Sequence, residues 1–160
     1  MRHCLKYVIF SAFFIIAGIL FAEPVELTGG NLKLEVYPET GRFCLYHIAD
    51  VGKNRYEPLL EDRNFGSTSW LSVQSNGRVF KITPRAGNTV ETVKTANGIM
   101  LQFIISDEFY VEQEFSLTDP EGRGFPTALS MEIRVENTSG KTAQLAVKGL
   151  FDTMLGEISG

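Results

Sequence analysis

Short runs of alternating apolar and polar residues, separated by turn-forming residues, constrain the fold of this chain more than any other feature. In the run LKLEVY, Leu32, Leu34 and Val36 alternate with more polar side chains. A period of two residues is typical of a strand with one buried face. About nine such runs occur, at the spacing of roughly 8–12 residues that β-sandwiches show. The sequence therefore predicts an all-β fold, an antiparallel β-sandwich of about nine strands.

Turn-forming residues between the runs predict which strands are neighbours. The stretch Pro38 to Gly41 predicts a hairpin over residues 32–49. Asn76-Gly77 predicts a second hairpin, because this dipeptide is the best former of a type I′ turn. Ala96-Asn97-Gly98 predicts a third. A turn after residue 138 is expected to bring the last run back beside the one before it, whereas residues 51–66 predict a long loop with at most a short strand.

The first 22 residues differ from the rest of the chain. Arg2 and Lys6 precede an uncharged run from Tyr7 to Phe21, and the small residue Ala22 ends the run. This order predicts a helical secretory signal peptide over residues 1–22. The alternative is an uncleaved membrane anchor, although the run is shorter than the ~20 residues of a spanning helix. We expect an exported protein of the periplasm, cell envelope or extracellular space, which contacts a membrane only if this segment is retained.

Charge and cysteine content argue against a nucleic-acid-binding protein and against a domain stabilised by an internal disulfide. Loss of residues 1–22 removes Arg2 and Lys6 and no acidic residue, so 13 basic and 19 acidic residues remain, a formal net charge of −6. Such a domain would be repelled by a phosphate backbone, which argues against a nucleic-acid partner. Cys44 then has no partner for an internal disulfide and is expected to be a small buried hydrophobe. We predict a single domain over residues 23–160, stabilised by its core alone.

The residue types that common enzyme sites require are missing. His47 is the only histidine after residue 22, and it follows Cys44 by three positions, which on a strand places the two side chains on opposite faces. No nucleophile elbow, dinucleotide-binding fingerprint or phosphate loop is present. Glu112 and Glu114 share a strand face about 7 Å apart, and we interpret that face as solvated. No catalytic residue, metal site or cofactor is predicted.

Two aromatic residues and the end of the chain supply the candidate ligand-binding residues. Trp70 is the only tryptophan and lies near Phe65. An exposed indole could stack on a sugar ring, and a core indole that bridges two sheets is just as natural. The predicted binding residues are Trp70 and Phe65, together with Asp152 and Glu157 of the terminal segment.

The stretch MEIRVENTSGKTAQLAVKGLFDTMLGE, residues 131–157, resembles the middle of galactose-mutarotase-like β-sandwich domains. It also resembles uncharacterised bacterial envelope proteins that carry an Asp-Thr-x-Leu-Gly segment. The resemblance implies carbohydrate recognition on a concave sheet, with sugar epimerisation in the enzymatic members. Mutarotases use histidines and a late glutamate, and the corresponding histidines are absent here. What the resemblance implies is therefore the fold and not the activity.

The polar cluster from Asp152 to Glu157 has two interpretations. It begins a loop whose continuation is missing, in which case the chain is the front part of a larger sandwich, or it is a tail that caps the last strand. In the second case Asp152 would accept backbone N–H groups in an Asx-type turn. The expected function is an exported, non-catalytic binding or interaction module of the cell envelope, with a glycan or an envelope protein as its partner. The alternative is a mutarotase-like carbohydrate-active enzyme or a truncated remnant of one.

Overall fold

A computed structural model describes residues 23–61, 68–81, 90–95, 98–105 and 108–154, and these residues form antiparallel strands with no helix among them. The all-β, antiparallel prediction is confirmed for this part of the chain. The predicted signal helix and the end of the chain lie outside the described residues. The strands are β1 Val25–Gly29, β2 Leu32–Tyr37, β3 Arg42–Asp50, β4 Arg55–Pro58, β5 Trp70–Ser75, β6 Arg78–Lys81, β7 Val90–Lys94, β8 Gly98–Ile105, β9 Phe109–Thr118, β10 Ala128–Asn137 and β11 Leu145–Leu150.

Three sheets account for these strands. The first has the order β1-β2-β3-β4, the second β10-β9-β8-β7 and the third β11-β5-β6. The sequence did not predict β1, and β4 is the short strand within the segment that was expected to be a loop. The described residues therefore form eleven strands, which are the nine predicted ones together with β1 and β4.

The three hairpins predicted from turn residues are confirmed. Leu32 pairs with His47, Ser75 with Arg78 and Lys94 with Ile99, each at one end of an antiparallel ladder. Asn76 and Gly77 have φ angles of 47° and 82°. Two consecutive positive φ values define the type I′ turn, whose twist matches that of the strands it joins.

The expected return of the last strand beside β10 is wrong. β11 pairs with β5 in the third sheet, with Leu145 opposite Ser75 and Leu150 opposite Trp70. The chain leaves β10 at Asn137, whose side-chain oxygen accepts the Ser139 N–H at 3.1 Å and whose amide donates to the Lys141 carbonyl at 2.6 Å. These bonds close a turn that is complete without a partner strand, so the next segment is free to pair elsewhere.

One hydrophobic core joins the three sheets. Phe43 of β3 packs on Phe115 of β9 with ring centroids 5.1 Å apart, and Phe80 of β6 packs on Phe109 of β9 at 5.7 Å. Cys44 is fully buried, as the sequence predicted. The largest side chains with under 2% exposure include Phe43, Phe103, Phe109, Phe115, Leu34, Ile99 and Leu101.

Candidate functional site

Trp70 begins β5 on the face opposite the core. Strand alternation points Leu71 and Val73 inward, where both are buried, and leaves Trp70 half-buried on the other face. It is neither the fully exposed nor the core tryptophan that the sequence analysis weighed. An indole in this position keeps part of its apolar surface available while its position is fixed by the strand.

The neighbours of Trp70 follow from the strand register. Leu150 lies directly opposite Trp70 on β11, and Lys148 of β11 and Lys81 of β6 lie on either side of Ser72. Residues directly opposite each other in an antiparallel pair project to the same face. The Lys81 Nζ atom is 5.5 Å from the centroid of the indole ring, within the range of a cation–π contact. We call this surface of Trp70, Leu150, Lys148 and Lys81 the Trp70 face.

Asp152 extends the Trp70 face by one position. If the β5–β11 register is continued, Asp152 falls opposite Thr68, and the Thr68 hydroxyl donates to the Asp152 carboxylate at 2.7 Å. The Asp152 N–H in turn donates to the Ser69 hydroxyl at 3.2 Å. These bonds place a hydroxyl donor on the Asp152 carboxylate, and the Asx-type turn stays a prediction. The structure thus brings Trp70 and Asp152 together at one end of the third sheet.

The backbone beyond β11 is bound to the segment after β4. The Glu61 N–H donates to the Asp152 carbonyl at 2.8 Å, and the Met154 N–H donates to the Leu59 carbonyl at 3.0 Å. An isolated antiparallel bridge pairs Leu60 with Thr153. These contacts fix Asp152 next to the sheet. Two other predicted binding residues, Phe65 and Glu157, lie outside the described residues.

The carboxylates of β9 do not form an acid–base pair. Glu112 accepts hydrogen bonds from the Tyr110 hydroxyl at 2.9 Å and the Gln102 amide at 3.1 Å, and Arg134 lies 3.5 Å away. The bond from Tyr110, followed by that from Gln102, holds the pKa of Glu112 below its ordinary value. A general acid that works near neutral pH needs a raised pKa, so this arrangement does not suit such a role. The interpretation of this face as solvated agrees with its geometry.

Cys44 and His47 project to opposite faces of β3, as the sequence predicted. Cys44 lies opposite Glu35 and donates from Sγ to the Leu60 carbonyl at 3.2 Å, whereas His47 lies opposite Leu32. The His47 Nδ1 atom is buried and has no hydrogen-bond partner among the described residues. In the described ranges, no group of three or more His, Cys, Asp or Glu side chains is placed to hold a metal ion.

A buried carboxylate on β2 is the polar feature that the sequence analysis missed. Glu35 is only 9% exposed and accepts bonds from Lys33 at 2.6 Å, the Tyr46 hydroxyl at 2.8 Å and the Tyr37 hydroxyl at 3.0 Å. Burial alone would raise the pKa of Glu35, but these three bonds outweigh it and the pKa is lowered. The sequence signal that could have indicated a buried carboxylate was the presence of Tyr37 and Tyr46 in the polar rows of two neighbouring strands.

The hydroxyl of Tyr46 completes this Glu35 cluster. Burial, then contact with Cys44 and with Glu35, raises the pKa of Tyr46 far above its ordinary value, so the phenol stays neutral and donates. The Lys33 ammonium lies 4.3 Å from the centroid of the Tyr46 ring, which places a cation over the aromatic face as well as beside the carboxylate. Every charged group of the cluster has a partner, which is typical of a structural network.

An open cleft of about 410 Å³ lies away from the Trp70 face. Ile104, Tyr110, Glu136 and Thr138 contribute to its lining. The Tyr110 hydroxyl in this lining is already bonded to Glu112, and none of these residues was predicted from the sequence to bind a ligand. We therefore take the Trp70 face, and not this cleft, as the candidate binding site.

The described residues include no helix that is long and apolar enough to cross a membrane. Comparison with protein-family models, with curated protein sequences and with solved structures finds no match to this chain. The resemblance of residues 131–157 to mutarotase-like and envelope proteins accordingly stays a prediction.

Proposed function

We propose that this chain is an exported, non-catalytic β-sandwich module of the cell envelope that binds carbohydrate on its Trp70 face. The observation that carries the proposal is the half-buried indole of Trp70, held on a strand with polar groups on both sides. An aromatic ring with part of its apolar surface free can stack on a sugar ring, and adjacent hydrogen-bonding groups then orient the hydroxyls.

The sandwich part of the proposal is supported by the contacts between sheets. In the proposed sandwich, the second sheet is one layer, and the first and third sheets together are the other. Phe43–Phe115 and Phe80–Phe109 are the ring contacts that cross between these layers. In a layered arrangement of this kind, one face of the third sheet points away from the core.

The charges around Trp70 favour an acidic saccharide. Lys81 and Lys148 are both exposed and lie on the same face of the sheet as the indole. The Asp152 carboxylate at the far end is bonded to Thr68, which leaves it able to accept from a sugar hydroxyl. A uronic acid whose ring stacks on Trp70 would place its carboxylate toward the lysines.

Export is supported by the composition of residues 1–22, with two basic residues before the apolar run. The non-catalytic part is supported by the lowered pKa of Glu112 and by the burial of Cys44. A mutarotase-like enzyme is the competing hypothesis, and an assay of anomer interconversion separates the two because a binding module produces no turnover.

The test uses the protein over residues 23–160, in which Trp70 is the only tryptophan and so reports binding through its own fluorescence. Neutral and uronic oligosaccharides are titrated at concentrations up to millimolar, and isothermal titration calorimetry measures binding for every variant because Trp70→Ala has no tryptophan left. We expect saturable binding that Trp70→Ala weakens at least about ten-fold. Lys81→Ala is expected to weaken the uronic ligands more than the neutral ones.

Phe125→Ala is the control, because Phe125 is an aromatic residue with a 40% exposed surface but lies in the segment between β9 and β10. It should bind as the unchanged protein does. Absence of any binding, or binding that Trp70→Ala leaves unchanged, would overturn the proposed site. Catalysed interconversion of sugar anomers would overturn the non-catalytic assignment.

A further inference from the structure

β10 is an open edge of the second sheet. It runs from Ala128 to Asn137 in an unbroken register with β9, and no described strand pairs with its other side. Edge strands are commonly kept short, or interrupted by proline or a bulge, because their free backbone groups otherwise pair with another chain. β10 is ten residues long and contains neither glycine nor proline.

The hydrogen bonds to β9 define which backbone groups of β10 are free. The Thr138 N–H donates to the Glu108 carbonyl at 2.9 Å, and these two residues fall directly opposite each other when the register is continued from Asn137 and Phe109. Bonded and non-bonded pairs alternate along an antiparallel ladder. The even-numbered residues of β10 therefore bond to β9, and the odd-numbered residues direct their N–H and C=O groups to the open side.

The side chains of β10 form two rows. Leu129, Met131, Ile133 and Val135 are half-buried and pack against the core, and the residues between them point outward. Glu132, Arg134 and Glu136 form the outward row and are exposed. A strand added to this edge would cover more of the apolar row and would meet an alternating row of charges.

We propose that the occupant of this edge is a second copy of the chain, paired antiparallel β10 to β10 about a two-fold axis at Ile133. Since only odd-numbered residues have free backbone groups on both copies, odd residues must face odd residues. With the axis at Ile133, Glu132 of each copy faces Arg134 of the other, and the ladder extends from Leu129 to Asn137. About ten backbone hydrogen bonds then join the copies.

Neighbouring registers are less favourable. An axis at Arg134 would place Arg134 against its own copy and Glu132 against Glu136, so every facing pair of charges would repel. An axis at Val135 would keep an Arg134–Glu136 pair, but would shorten the overlap to residues 133–137. Charge complementarity and length of overlap both select the axis at Ile133.

Arg134 already has a partner on the same sheet, and the dimer would give it a second one. Its guanidinium lies 3.5 Å from the Glu112 carboxylate of β9 and is 69% exposed. Guanidinium has five donors in a planar fork, so it can contact carboxylates on both sides. Arg134 and Glu112 lie on the outer face of the sheet, and in the dimer Glu132 of the second copy would lie on that same face, on the other side of Arg134.

The first experiment measures dimerisation of the protein over residues 23–160 by sedimentation velocity across a range of concentrations. Glu132→Arg and Arg134→Glu should each weaken the dimer at least about ten-fold, because two facing pairs become repulsive. The double variant restores both pairs with reversed sign and should recover the dimer. Glu91→Arg is the control, since it makes the same charge change on β7 at the opposite edge of the sheet.

A second experiment fixes the register and does not depend on charge reversal. Glu132→Cys and Arg134→Cys chains are mixed under mild oxidation, with the buried Cys44 retained. Facing residues in a non-bonded pair have Cα atoms about 4.5 Å apart, which suits a disulfide. The mixture should form a covalent dimer, whereas neither chain alone should, because identical positions do not face each other. A protein that stays monomeric, or that cross-links equally well without mixing, would overturn the proposal.

Discussion

Replacement of Tyr46 by phenylalanine is the sharpest test of the Glu35 cluster. Tyr46 is 8% exposed, and its hydroxyl donates to a Glu35 oxygen at 2.8 Å. The substitution removes that donor and changes the packing very little. A hydrogen bond to a charged group contributes about 1.5–3 kcal/mol, and Glu35 keeps its bonds from Lys33 and Tyr37. We therefore expect the free energy of unfolding to fall by about 2 kcal/mol near pH 7.

The size of this loss should depend on pH. The pKa of Glu35 is lowered in the folded protein, so its contribution to stability is present above the ordinary value of 4.5 and is lost as the pH falls through the folded pKa. Once Glu35 is protonated, the bond from Tyr46 joins two neutral groups and contributes about 1 kcal/mol. The difference between the two proteins should thus narrow in acid.

Urea unfolding followed by Trp70 fluorescence measures both quantities. Tyr56→Phe is the control, because the Tyr56 ring also lies near Lys33, at 5.5 Å, but its hydroxyl bonds to no described residue. It should change the stability by less than about 0.5 kcal/mol. Equal effects of the two substitutions, or a Tyr46→Phe effect that is constant with pH, would refute the reasoning.

Three further predictions concern the core and a turn. Phe43→Ala should cost about 3–5 kcal/mol in urea unfolding, because Phe43 is fully buried against Phe115; a cost under about 1 kcal/mol would contradict this packing. Gly77→Ala should cost about 1–2 kcal/mol, because φ is 82° there although the space is open, and an unchanged midpoint would argue against the type I′ turn. Cys44 should react with a thiol reagent only at the rate of unfolding, and immediate modification of native protein would show that it is accessible.

Much of the fold follows from local patterns in the sequence. Alternation and turn residues were sufficient for the three hairpins because both signals act over a few residues, as at Asn76-Gly77. The pairing of β11 with β5 was not predictable in this way, because the strand is equally compatible with either neighbour. What decides between them is the closed turn at Asn137 and the bonds that Asn76 makes to Gln144.

The candidate site was likewise predictable from the sequence only in its local features. Trp70 could be selected from its residue type, and Asp152 from its position after a strand, but their proximity depends on the β5–β11 pairing. Glu35 was overlooked because the alternation of apolar and polar residues assigned it to a solvent-exposed face. A pattern of period two distinguishes the faces of one strand and cannot indicate that Tyr37 and Tyr46 cover the second face too.

The place of β11 beside β5 has a consequence for the order in which a newly made chain can assemble. β5 and β6 leave the ribosome early, whereas Leu150, which completes their sheet, emerges only after two further hairpins have been made. Contacts between such distant segments form late. Through most of synthesis, therefore, Leu71 and Val73 belong to a two-stranded β5–β6 ribbon in which the edge of β5 has no partner strand. We expect the yield of native protein to depend on chaperones that shield this ribbon until Leu150 can pair with Trp70.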